Sequence, residues 1–275
     1  VKRDASGNFS AGTITANLSG NATTATTATT ANSATNFTGL LSGDVTGTQG
    51  ATIVSLVGGQ TAANIASWNG REWSALGNGT DAPVRVLYTW NNCVVAGGMF
   101  LNAGSITVNR IAIWNGYSWI KMGDGFNNHV FALTKYKNSL VAAGRFTQSG
   151  TTAVSKIALW NGIKWEPLGS GLNDDVYALT EYNGKLIACG DFTVAGGVSA
   201  SYIAAWNGQS WENIGNANDK MRALLVHNNK LFAGGNFTKI DEKNILRCGY
   251  YNGVSWNQTG EGFNNWVEGF TIYKG

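Results

Sequence analysis

The stretch WNGIKWEPLG, residues 160–169, sets two tryptophans around an Asn-Gly pair. The phrase returns as ASWNGREWSALG, AIWNGYSWIKMG, AAWNGQSWENIG and GYYNGVSWNQTG. Its first aromatic falls at Trp68, Trp114, Trp160, Trp206 and Tyr251, with spacings of 46, 46, 46 and 45. Its second falls at Trp73, Trp119, Trp165, Trp211 and Trp256, with the same spacings. Self-similarity at a fixed period of this length is the signature of a repeat architecture.

Each unit reads as four short strands. VYALTEY (176–182) alternates apolar and polar residues, and a turn at Asn183-Gly184 leads into KLIACGDF (185–192). The longer loop TVAGGVSAS follows; then IAAW, a turn at Asn207-Gly208, and QSWENIG complete the unit. Four antiparallel strands every 40–50 residues predict the blade of a β-propeller. An all-β propeller head over 65–275 is therefore expected. Its pattern is similar to the kelch-type repeat: a strand, an NG turn, a strand ending in a Gly pair, and two strands ending at a Trp. The paired-aromatic WNG phrase departs from ordinary kelch sequences, so the resemblance implies a fold rather than an activity.

The strand count predicts how the ends meet. Four complete blades run from VRVLYTW (84–90) to about residue 262, with IASW and EWSALG before them and VEGFTIY (267–273) after. These three outlying strands would build a fifth blade from both chain ends and hide its edges, with ATIVSLV (51–57) as its missing second strand. A longer natural chain, or a strand from another subunit, would serve as well.

Two-residue Asn-Gly hairpins need positive φ at both positions. With Asn161-Gly162 as such a loop, Trp160 lies opposite Ile163, and Trp165 opposite Ala158. Trp160 and Trp165 then share one face. The predicted partner of the second Trp is always small: Ala66, Ala112, Ala158, Ala204 or Gly249. A large ring over a small partner is a packing arrangement, so the repeated tryptophans read as structural filler between blades. Stacking on sugars is the competing reading.

Residues 1–64 obey different physics. They hold four charged residues (Lys2, Arg3, Asp4, Asp44), two aromatics (Phe9, Phe37) and no Trp or Tyr. In NATTATTATTANSATN, alanine recurs every third residue from Ala22 to Ala34. Such a segment has too little apolar surface for a core of its own, so it either stays unfolded or packs against copies of itself. VKRDASGNFSAGTITANLSGNATTAT and NFTGLLSGDVTGTQGATIVSLVGGQTAANIA resemble the stalk repeats of phage tail fibres and related surface fibres. That resemblance implies an extended, homotrimeric shaft over 1–64; a flexible linker is the alternative.

Loops entering the first strand and loops joining the second and third strands share one face of a propeller, and binding residues favour such loops. The position before the first strand varies as Pro83, His129, Asp175, Lys220 and Trp266. The residue after the Gly pair varies as Met99, Arg145, Asp191 and Asn236. Irregularity on a regular scaffold marks these as candidate ligand contacts, with unconstrained surface as the alternative. Trp266 stands out because it lies outside the structural series, whereas Trp90 aligns with Tyr136, Tyr182 and Tyr273 in a strand.

Other chemistries find little support. Only two histidines occur, and neither assembles with Ser or Asp into a catalytic set. Asp175 and Asp191 would share the loop face as a glycoside-hydrolysing pair does, though loop carboxylates are more often solvated or structural. Cys93, Cys189 and Cys248 show no metal-binding or disulfide spacing and are expected as buried free thiols. No cofactor or metal is implied. The net charge of +3 is dispersed, with no basic stripe for nucleic acid, and no apolar run of about 18 residues is present to span a membrane. Seven Asn-x-Ser/Thr sequons, at Asn8, Asn17, Asn21, Asn36, Asn78, Asn236 and Asn257, matter only in a glycosylating host. The expectation is a non-enzymatic fibre on a virion or cell surface. Its head would attach to a glycan or protein receptor, with multivalency from a trimeric stalk; the alternative is an architectural subunit of an extracellular filament or coat that assembles by strand exchange.

Overall fold

A computed structural model describes residues 63–273, together with two-residue strands at Val45–Thr46, Ile53–Val54, Leu56–Val57 and Gln60–Thr61. The alanine-repeat part of the expected stalk lies outside the described residues. Every regular element among the described residues is a strand. Four four-stranded antiparallel sheets follow one another, each in chain order across the sheet. They open with Val84–Trp90, Val130–Tyr136, Val176–Tyr182 and Met221–His227. They close with Trp119–Lys121, Trp165–Pro167, Trp211–Asn213 and Trp256–Gln258. The first strands of successive sheets pack side by side. Each apolar cluster lies between consecutive sheets, as in the one joining Tyr136 and Val141 to Val176 and Leu186. The architecture is a propeller-like repeat of stacked antiparallel sheets.

The first hairpin of each sheet turns tightly. Tyr182 pairs with Lys185, and Asn183 and Gly184 both have positive φ, 50° and 74°, as a two-residue primed turn requires. The second hairpin differs from expectation. Trp160 pairs with Trp165, and Ala158 with Pro167, so the loop spans the four residues 161–164. The Asn161 side chain explains this. Its Oδ1 accepts the amides of Ile163 and Lys164, both at 2.9 Å, closing an Asx-type turn. Ile163 consequently sits exposed at the tip instead of opposite Trp160. The two indoles face each other directly, 5.1 Å apart.

In each complete sheet the second tryptophan is buried and ties its sheet to the unit before it. The indole Nε1 of Trp119, Trp165, Trp211 and Trp256 donates to the carbonyl oxygens of Leu76, Met122, Leu168 and Ile214 at 2.7–3.1 Å. The first aromatic lies against a glycine of that preceding unit: a Cβ on Gly123 or Gly169 would press on Trp160 or Trp206. Sheet joins sheet by the indole–carbonyl bond each time, while in the last interface the glycine, Gly215, meets Trp256 itself and not Tyr251.

The ends depart from the expected closure. Ala66–Trp68 and Trp73–Ala75 form a separate two-stranded sheet whose tryptophans are 51% and 54% exposed. Among the described residues, no four-stranded sheet precedes this hairpin to bury them. Residues 267–273 form no strand, although Val267 lies over Gly234 as Val130 lies over Gly97. The expected second strand is also placed elsewhere: Ile53–Val54 pairs with Val45–Thr46, and Leu56–Val57 with Gln60–Thr61. No fifth four-stranded sheet exists among the described residues. The segment TVAGGVSAS, expected as a loop, folds into a small hairpin, Val194–Ala195 on Val198–Ser199, across Gly196 and Gly197.

Candidate functional site

The two loop classes do meet on one face, through a repeated side-chain tether. Asn127 Oδ1 accepts the amides of Thr147 and Gln148. Asn173 does the same for Thr193 and Val194, and Asn218 for Thr238 and Lys239. Asp81 takes the equivalent place in the first sheet, accepting from Leu101 and Asn102. Burial opposes its charge, but these bonds from Asn102 and Leu101 hold its carboxyl below the usual carboxylate range.

Just inside this face, the register of every first strand slips by one residue. The slips fall between Val84 and Val86, Val130 and Ala132, Val176 and Ala178, and Met221 and Ala223. Each is a β-bulge, which leaves one residue unpaired and re-aims its side chain. The bulged residues are Arg85, Phe131, Tyr177 and Arg222. The glycine ending each second strand makes this possible. A Cβ on Gly144 would collide with the carbonyl oxygen of His129, and one on Gly190 with that of Asp175. Bulged residues of neighbouring sheets touch: Phe131 and Tyr177 lie 5.8 Å apart, and the Arg222 guanidinium sits 5.3 Å over Tyr177.

Four of the nine variable positions flagged from sequence pair with one another across sheet boundaries. Arg145 Nε meets Asp175 Oδ2 at 2.7 Å, and Lys156 Nζ meets Asp175 Oδ1 at 3.0 Å. Asp175 is only 4% exposed, so its charge is spent within the protein. The bond to Asp175 raises the Arg145 pKa further. In the next interface the order of signs reverses: Lys220 Nζ lies 2.9 Å from Asp191 Oδ2, which raises the Lys220 pKa. The same oxygen accepts the Tyr177 hydroxyl at 2.6 Å. Burial, then this bond, pushes the Tyr177 pKa upward. Asn236 accepts from Arg222 Nε at 2.9 Å.

Pro83 and Met99 pair within the first sheet through their backbones, and His129 and Trp266 make no side-chain pair of this kind among the described residues. No hydrogen bond holds the His129 imidazole, which lies 6.0 Å from Phe131. Burial, and then the guanidiniums of Arg110, Arg145 and Arg85, hold it below the ordinary imidazole range. Trp266 is half exposed, with Arg222 stacked 5.3 Å over its ring. It also lines a largely apolar cleft of about 690 Å³ with Leu225, Phe232, Phe263 and Phe270. This cleft occupies the flank of the fourth sheet where a following sheet would pack.

Sequence reasoning missed the bulge row. Its signal was present in the variation at 85, 131, 177 and 222 beside an invariant glycine 13 residues on. The cysteines are free, with Cys189 and Cys248 buried and Cys93 only half-buried. Among the described residues, no cluster of His, Cys, Asp and Glu has the make-up of a metal site, and no helix is long and apolar enough to cross a membrane.

Fold and site together define an all-β repeat protein with a cationic and aromatic row at the loop-bearing end of its first strands. No family model matches the chain, and no curated protein matches it. Among solved structures, that of the computationally designed Ika8 protein is similar at 14% identity and a TM-score of 0.39. The match covers 85% of this chain and 89% of that one. A likeness at that level does not bear on function.

Proposed function

We propose that the chain is part of a surface fibre whose repeat domain attaches to a glycan or protein on another surface. The bulge row is the observation that carries this reading. Arg85, Phe131, Tyr177 and Arg222 break the strand ladder at the same place in four sheets, and their identities differ where packing residues repeat. A bulge sacrifices ladder pairing, and a row of such sites aims polar and aromatic groups at the loop face. The low-complexity stretch 1–64 supports a self-associating stalk, and a trimer would present three weak sites together.

Binding to arrayed surface glycans and to cells tests the attachment. Loss on Tyr177→Ala or Arg222→Ala, with Ile163→Ser on the opposite hairpin tips unaffected, is the expected pattern. Equal loss from both faces would count against it. Light scattering of residues 1–275 should give three copies; a monomer would remove the trimer.

A second reading, that copies assemble end to end, has its own observation. The exposed pair Trp68 and Trp73 and the open cleft beside the fourth sheet are the two halves of the repeated interface. By register, Trp73 of one copy would donate to the Thr259 carbonyl of another. Sedimentation showing concentration-dependent chains that Trp73→Ser abolishes would favour this architecture. A concentration-independent species would oppose it.

A further inference from the structure

We propose that the mouth between the first and second sheets binds an acidic saccharide through a carboxylate or sulfate group. This inference names a ligand class for the attachment reading and rests on it. Two guanidiniums, Arg85 and Arg110, converge there on Met99, and that of Arg145 lies 5.9 Å over Phe131, the ring beside His129. Arg85 is exposed on its bulge, and its one hydrogen bond is to the Met99 sulfur at 3.5 Å. Arg110 donates through Nη1 to the Met99 carbonyl, while its buried Nε has no partner. Arg145 engages Asp175 through Nε alone. Lys156 is held between Asp175 and the Arg145 carbonyl. The carboxylates acting on Arg145 are Asp175, which already holds two cations, and Asp174 farther off.

The cationic surplus therefore lies at Arg85 and Arg110, and three guanidiniums are near enough to act on the His129 imidazole. Nowhere else on the row does this occur. At the second boundary Asp175 answers Arg145 and Lys156, at the third Asp191 answers Lys220, and beyond it Glu268 lies 3.5 Å from Arg222. Guanidinium forks match planar oxyanions. Phe131, beside His129, adds an apolar wall against which a sugar ring fits. The patch is confined to one mouth and is not a stripe, so it suits single acidic groups on a chain and not the continuous backbone of nucleic acid.

Dextran sulfate, polygalacturonate and unmodified dextran separate sulfate, carboxylate and neutral sugar as probes. The full chain should bind one or both charged polymers, more weakly as salt rises, and should ignore dextran. Arg85→Gln should weaken binding about ten-fold at an unchanged melting temperature, since Arg85 supports nothing buried. Arg85→Lys should fall between. Equal binding of dextran, unchanged binding by Arg85→Gln, or tighter binding of duplex DNA would each overturn the site. Cell attachment that survives Arg85→Gln would refute this site while leaving the attachment reading intact. Arg85-dependent polymer binding without cell attachment would do the reverse.

Discussion

Trp165 and Trp73 occupy the same place in the same phrase, yet one is 1% exposed and the other 54%. Both face a partner indole at similar range, 5.1 and 5.4 Å. The difference is the neighbour. Trp165 finds the Met122 carbonyl and the apolar flank of the preceding sheet; among the described residues no four-stranded sheet precedes Trp73. The phrase thus encodes a hairpin with a sticky face, and stacking decides whether that face becomes core. Nearest-neighbour stabilisation of this kind is the rule in repeat proteins.

The comparison predicts a graded set of stability losses in chemical denaturation. Trp165→Ala removes a full interface ring and should cost about 3–5 kcal/mol. Asp175→Ala acts in an interior interface as well. It strands Lys156, which is largely buried, and should cost about 3 kcal/mol. Its counterpart Asp191→Ala loosens a more exposed pair and should cost about 1 kcal/mol. Trp73→Ala should cost under about 1 kcal/mol, as surface changes do. A loss equal to that of Trp165→Ala would mean that the hairpin is covered in solution.

The smallest effect concerns His129. Its folded pKa lies below the unfolded value, so the unfolded chain binds more protons in between. Stability should fall as pH drops from about 6.5 towards the folded pKa, and level off below it. His129→Gln should remove that increment from the pH profile, as comparison of melting temperatures would show.

Much of the repeat was legible from spacing and alternation alone. Val84–Trp90 and Val176–Tyr182 coincide with the strands expected at those residues. Period and alternation report on packing repeated in every unit. The four-residue turn was not legible, because Asn-Gly is compatible with two loop lengths and the Asn161 side chain chooses between them. Closure was not legible either, since counting strands says nothing about whether the two ends meet. In the site, loop positions such as Arg145 and Asp175 stood out by irregularity, but irregularity does not reveal that they neutralise each other. The bulges escaped because a one-residue slip leaves the alternation almost intact.

The most direct test of the loop-face account is amide hydrogen exchange with and without dextran sulfate. The account predicts added protection at residues 83–86, 99, 110, 129–131 and 145, with the hairpin tips at 115–118 and 161–164 unchanged. Protection confined to those tips, or spread evenly over all lysines and arginines, would contradict it.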